Sequence, residues 1–258
     1  MAEEALPAAV IFDVDGTLVE SEREGHRVAF NQAFEDFDMP HRWDEELYGR
    51  LLEVSGGENR LRHYLLENGY EQEEAEELAD KLHTRKNEHF IHLAEEGEIP
   101  ERPGAGRLIE EVAEAGVPIA VATTGSRAWV EPLLDKLFGL DHFKVIITGD
   151  DVEERKPDPE CFHQALELLE VSAAETVAIE DSRNGLDAAL AADIPCLVVV
   201  SDYNHDQDFD GAALVVDSFG SPGESEVIAG PEDALEDGAV TLATLRRIVE
   251  EASSPSQE

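Results

Sequence analysis

Residues 9–22 read AVIFDVDGTLVESE, an apolar run that ends on two carboxylates, Asp13 and Asp15, only two positions apart. The unbroken apolar stretch predicts a strand buried on both faces, as in the middle of a parallel sheet. Two like charges at the mouth of such a strand need a reason. A calcium loop also alternates its acids, but it carries glycine sixth. Gly16 stands fourth from Asp13, and Thr17 occupies the position of a third ligand. A plain strand-to-turn junction is one remaining reading. The other is chemical: Asp13 as a nucleophile toward phosphorus, Asp15 as a general acid/base, and a cation that keeps both ionised. Gly16 permits the tight turn that brings both side chains to the end of the strand.

Further apolar runs outward from this stretch predict buried strands at 119–123 (IAVAT), 144–148 (KVIIT), 176–180 (TVAIE) and 196–200 (CLVVV). Helical patterns lie between them: Leu108, Ile109 and Val112; Leu133, Leu134 and Leu137; Phe162, Ala165, Leu166 and Leu169. Alternating strand and helix gives an α/β fold, a doubly wound Rossmann-like parallel sheet. Residues 21–97 break the alternation with helical patterns alone, including Phe30, Phe34 and Phe37 and a long acidic helix through 71–97. They predict an all-helical cap inserted after the first strand. The core is expected over 1–20 and 98–225, with the chain returning through IPERPGAG, and 226–258 as an acidic C-terminal extension with one helix near TLATLRRIVEEA.

Sixty acidic residues against 19 basic give a formal charge of -41. Such a chain is a poor partner for nucleic acid. In dilute buffer its self-repulsion opposes folding, whereas at molar salt the Debye length is about 3 Å, so the composition points to a salt-loaded, halophilic cytoplasm. Cys161 and Cys196 have neither metal-ligand nor CxxC spacing and read as buried free thiols. The N-terminus has no basic leader and no apolar run approaches a membrane span, so a soluble cytoplasmic protein without a membrane partner is expected.

Phosphoryl chemistry needs positive charge at other strand ends. Thr123 and Thr124 follow IAVA, and Lys156 follows the third strand in KPDPECF, where Asp158 is expected to cap a helix with Pro159 at its first position. Glu180 and Asp181 open EDSRNG after the fourth strand. Each has a dull alternative as strand residue, loop or cap, but all four motifs fall at strand ends in the order the chemistry needs.

The set DVDGT, Thr123, KPDP and EDSRNG resembles the haloacid dehalogenase superfamily of phosphohydrolases with a helical cap, over residues 8 to 220. The resemblance implies Asp13 as nucleophile and Asp15 as acid/base, with Gly16, Thr123, Thr124 and Lys156 around the phosphate. It also implies Mg²⁺ held by Asp13, the Asp15 carbonyl and Asp181, with Glu180 beside it. True dehalogenases are disfavoured, since they have no alkoxide awaiting a proton from Asp15. The stretches ESEREGHRVAFNQAF, LLEVSGGENRLRHYL and EGEIPERPG resemble the cap of CbbY-type sugar bisphosphate phosphatases, which makes Arg60, after Gly56 and Gly57, the candidate for a distal phosphate. Two positions depart from that pattern. Glu58 stands where a lysine is expected, and His26 falls one residue late, reading as a helix-surface residue. Three functions follow: a Mg²⁺-dependent phosphatase of small sugar phosphates, pentose bisphosphates among them; a β-phosphoglucomutase-like mutase; or an idle magnesium-binding scaffold, which the intact acid pair argues against.

Overall fold

The structure, a computed structural model, describes residues 6–54, 56–221 and 223–253. The termini of the expected core and extension, Ser55 before the Gly-Gly turn and Pro222 of SPGESE lie outside that set. In chain order the elements are β1 (Ala9–Phe12), α1 (Arg27–Asp36), α2 (Glu45–Leu51), α3 (Gly57–Glu67), α4 (Gln72–Glu96), α5 (Ala105–Glu114), β2 (Ile119–Ala122), α6 (Arg127–Leu137), β3 (Phe143–Ile147) and α7 (Glu160–Leu169). There follow β4 (Thr176–Glu180), α8 (Arg183–Ala191), β5 (Cys196–Val199), β6 (Leu214–Val216), β7 (Val227–Ala229) and α9 (Leu242–Ser253). Two compact units emerge, residues 1–19 with 101–258, and residues 20–100.

The first unit is a doubly wound α/β unit. Its strands run β3-β2-β1-β4-β5-β6-β7, all pairs parallel except β6 with β7. All four residues of β1 are fully buried, which is why AVIF carries no polar face. The chain goes from β1 to β2 on one side and reaches β4 and β5 on the other, so the order reverses at β1. The carboxyl ends of strands flanking such a switch point form a crevice.

Helices cover the sheet through the residues their periodicity singled out. Leu108, Ile109 and Val112 of α5, Leu133 and Leu134 of α6, and Phe162, Ala165 and Leu169 of α7 are buried. Burying a side chain such as Phe162 contributes about 1.5–3 kcal/mol, so these stripes anchor each helix to the sheet. The expected strands overran by single residues: Thr123, Thr148 and Val200 sit just past the strand ends. β6 and β7 have three residues each and did not register as patterns. The segment after 226 provides β7 as an antiparallel edge strand and α9, all within the first unit. Arg107 fastens it, donating to Val240 O at 2.7 Å and to Phe219 O and Gly220 O at 3.2 Å.

The second unit is all-helical. Phe30 and Phe34 are buried in it, whereas Phe37 lies just past α1 and is exposed. The long acidic helix is α4, which stops at Gly97 in the left-handed conformation that glycine favours. A π-helical turn, Ser21–His26, precedes α1. Both cysteines of the chain are buried and free. Among the described residues no helix is long and apolar enough to cross a membrane.

Candidate active site

Parallel pairing sets Phe12 level with Val121 and Ile179, so the next residues on three adjacent strands are Asp13, Ala122 and Glu180. Lys156, from the loop between β3 and α7, ties this rung together. Its Nζ donates to Asp13 Oδ1 at 2.7 Å, to Ala122 O at 2.7 Å and to Glu180 Oε1 at 2.5 Å. Three acceptors use the three protons of an ammonium. The Lys156 side chain is 5% exposed and Glu180 is 0% exposed, so these are desolvated charges.

Each motif reaches its place by local chemistry. After β1 the chain turns on Val14 O, which accepts from the N–H groups of Thr17, Leu18 and Val19, and Gly16 takes φ 86°. A methyl group on Gly16 would overlap the Asp181 carboxylate, so this position needs glycine for both conformation and space. Thr123 is buried at the end of β2, and its Oγ1 accepts from Gly125 N at 3.1 Å, which orients the hydroxyl. Thr124 beside it is half-buried, and its carbonyl packs against Gly149. The helix after KPDP begins one residue later than expected. Pro159 is its N-cap residue, and Asp158 Oδ1 accepts from Glu160 N at 3.0 Å. Ser182 caps α8 by accepting from Gly185 N at 3.1 Å.

The rung carries more negative than positive charge. Carboxylate oxygens of Asp13, Glu180 and Asp181 lie within 4.8 Å of one another, against the single ammonium of Lys156. Burial pushes the Asp13 carboxyl up, Lys156 opposes it, and Asp15 adds to the rise. Burial likewise pushes Glu180 to about 8 against the pull of Lys156. Asp181 is raised well above its ordinary value by burial and then by Asp13, Glu180 and Asp15. For Lys156, burial favours the neutral amine, but the Asp13 and Glu180 carboxylates outweigh it and hold the ammonium charged.

Glu180 Oε2 is buried and has no hydrogen-bond partner among the described residues. Fully ionised, three carboxylates and one ammonium leave a local charge of about −2, and all the donors are hard oxygens, a set that fits a divalent cation such as Mg²⁺.

The structure thus brings Asp13, Asp15, Gly16, Thr123, Lys156, Glu180 and Asp181 to the carboxyl ends of adjacent strands. Sequence reading missed Asn204, from the loop after β5, whose Nδ2 donates to Asp181 O at 2.5 Å and to Asp181 Oδ2 at 2.8 Å. It also missed the reason for Gly185, where a methyl group would overlap Glu180. Arg127, at the start of α6, is engaged with Glu131, Asp151 and Ile146 O.

Arg60, the candidate for a distal phosphate, is 8% exposed, and its Nε donates to Leu51 O at 3.0 Å and its Nη1 to Tyr48 Oη at 3.3 Å. One reading for the helical unit needs correction. His26 is not a helix-surface residue. Its ring stacks on Phe90 at 3.9 Å between centroids, and Lys86 Nζ lies 2.9 Å from its Nδ1. The π-helical turn ends at His26 and takes up one residue more than an α-helical turn.

A family model described as haloacid dehalogenase-like hydrolase matches residues 7–193. The chain is 42% identical over 218 residues to the protein CbbY of Cereibacter sphaeroides, covering 83% of this chain and 94% of that one. It is 41% identical over 224 residues to the plasmid-borne protein CbbY of Cupriavidus necator, covering 84% and 87%. The fold superposes with a TM-score of 0.70 on a crystal structure of CbbY from Rhodobacter sphaeroides in complex with xylulose-(1,5)bisphosphate, at 40% identity and covering 84% of this chain and 97% of that one.

Proposed function

Since the chain belongs to the haloacid dehalogenase-like hydrolases, we propose that it is a Mg²⁺-dependent phosphatase of small phosphorylated sugars, pentose bisphosphates foremost, working through an aspartyl-phosphate. The rung of Asp13, Lys156 and Glu180 is the observation that carries this reading. Lys156 holds one oxygen of Asp13, which fixes the carboxylate and leaves its other oxygen for phosphorus. CbbY of Rhodobacter sphaeroides, with its bound xylulose-(1,5)bisphosphate, supports a sugar bisphosphate as substrate.

In the first step a bond forms from Asp13 to phosphorus while the bond to the sugar oxygen breaks, and Asp15 gives the departing alkoxide its proton. In the second, Asp15 takes a proton from water as the water oxygen bonds to phosphorus and the bond from phosphorus to Asp13 breaks, which releases inorganic phosphate and regenerates the Asp13 carboxylate. Lys156 and the N–H groups around Thr123 and Thr124 neutralise the equatorial oxygens. Asp13, the Asp15 carbonyl and Asp181, with Glu180 beside them, would hold Mg²⁺, which would supply further charge neutralisation there. Residues 20–100 serve as the cap, and Arg60, seated by Tyr48 and Leu51, holds the distal phosphate. A phosphate-release panel of sugar mono- and bisphosphates in concentrated KCl, with Mg²⁺ or with chelator, tests the reading. Metal-dependent release with an alkali- and hydroxylamine-labile phosphoryl group on Asp13 is expected. Interconversion of hexose phosphates without net phosphate release, or no turnover at all, overturns it.

A further inference from the structure

We propose that Asn204 is a positioning residue that fixes the Asp181 carboxylate for the cation, an inference that rests on Asp181 being a metal ligand. Asn204 is 5% exposed and uses its side chain fully. Its Nδ2 donates to Asp181 O at 2.5 Å and to Asp181 Oδ2 at 2.8 Å, and its Oδ1 accepts from Ser201 N at 2.5 Å. This pattern admits one orientation of the amide. A flipped side chain would set its oxygen against two acceptors and its NH₂ against a donor.

The same carboxylate oxygen has two close neighbours. Asn204 holds Oδ2 by a hydrogen bond, and Gly16 lies so near that oxygen that a methyl group there would overlap it. Oδ2 is pinned and Oδ1 is oriented with it. The chemistry of the partner matters as much as its place. Lys156 bonds directly to Asp13 and Glu180, whereas the side-chain hydrogen bond to Asp181 comes from a neutral amide, and the Arg102 guanidinium acts on that carboxylate only through space. An ammonium or guanidinium in that position would compete with the cation. Outer partners of ligating carboxylates act in this way, and their removal costs roughly 10–100-fold in metal affinity.

The loop is itself anchored where the amide must work. Gln207 Oε1 accepts from Arg183 N at 2.8 Å, and Arg183 Nη1 donates to Asp208 O at 3.1 Å and Asp210 O at 3.0 Å. These contacts tie the segment after β5 to the first turn of α8, directly after Asp181. They also supply a control, because Gln207 tethers the same loop without touching Asp181.

The test is direct titration of the metal-free protein with Mg²⁺ by calorimetry, with thermal unfolding in chelator run beside it. Asn204→Ala is expected to weaken Mg²⁺ binding about 10-fold or more, and to raise the Mg²⁺ concentration for half-maximal activity by the same factor. The rate at saturating Mg²⁺ should fall less. Asn204→Ser keeps a shorter donor, is expected to fall between the two, and gives the reading where Asn204→Ala does not fold. Gln207→Ala should lower the melting temperature while leaving Mg²⁺ affinity within about 2-fold of the parent. Unchanged Mg²⁺ affinity in a folded Asn204 variant, or an equal loss in Gln207→Ala, overturns the proposal. Asp181→Asn separates the premise: if it binds Mg²⁺ as tightly as the parent, Asp181 is not a ligand, and the positioning role falls with it for that identifiable reason.

Discussion

Replacing Lys156 by methionine keeps the length and the apolar stem but removes the only ammonium on the rung. The lost interactions are three hydrogen bonds, two of them to carboxylates that are themselves buried. Removing one partner from a buried charge pair costs about 3–5 kcal/mol, because the other charge is left uncompensated. At roughly 2–4 °C per kcal/mol for a chain of this size, the metal-free variant should melt about 6–20 °C below the parent. The deficit has a pH signature. Burial raises the folded pKa of Glu180 to about 8, and without the lysine it rises further. A raised folded pKa means stability that is lost as pH climbs toward that value. In the parent this loss ends near pH 8, whereas the variant keeps its proton and goes on losing stability above it. The gap should widen by about 1.4 kcal/mol for each pH unit above 8. Thermal unfolding in chelator and concentrated KCl at pH 7 and pH 9 reads both effects. Equal melting temperatures at both pH values would refute the assignment of Lys156 as the charge that holds the rung together. Added Mg²⁺ should restore part of the loss, since a dication neutralises the same carboxylates. Turnover should nonetheless fall about 10²–10³-fold, as for the loss of one oxyanion donor.

Asp15→Asn should lower kcat by about 10²–10⁴-fold while Mg²⁺ binding persists, because it removes proton transfer and leaves the backbone carbonyl in place. Gly16→Ala should reduce both stability and Mg²⁺ affinity, since the added methyl meets the Asp181 carboxylate at a left-handed φ of 86°, and a metal titration with a melt reads the two together. In chelator the parent should lose stability as pH rises from 4.5 toward about 8, the window over which Glu180 ionises when unfolded but not when folded, and saturating Mg²⁺ should flatten that slope. With a net charge of -41 the melting temperature should rise from dilute buffer to concentrated KCl, and a salt-independent melt would remove the case for a salt-loaded cytoplasm.

The core of the site was legible because its chemistry is attached to strand ends, and strand ends can be read. AVIF, IAVA and VAI (177–179) are unbroken apolar runs, so the first polar residue after each falls at the same edge of the sheet. Register then does the rest, setting Asp13 beside Glu180 although 167 positions separate them. Asn204 was illegible for the opposite reason. It sits in SDYNHDQDFDG, a polar loop whose period says nothing, and only the fold brings it to Asp181. β6 and β7 escaped because three residues cannot establish an alternation, and they gain their place from neighbours already in the sheet.

The helical unit shows a subtler limit. Counting from Asp15, His26 comes one residue late, and counting alone places it on a helix surface. The π-helical turn Ser21–His26 widens the backbone ring by one residue and so takes up the extra position before α1 begins. His26 can then stack on Phe90 and meet Lys86, both on α4, far from it in sequence. Such a turn lowers hydrogen-bond quality along the helix, so it persists where packing holds it, and Gly25 fits that account: a methyl group there would strike Phe90 and Ile99. The wider turn thus accounts for the place of His26 beside Phe90 and Lys86, and a spacing argument across a helix start holds only once its hydrogen-bond pattern is known.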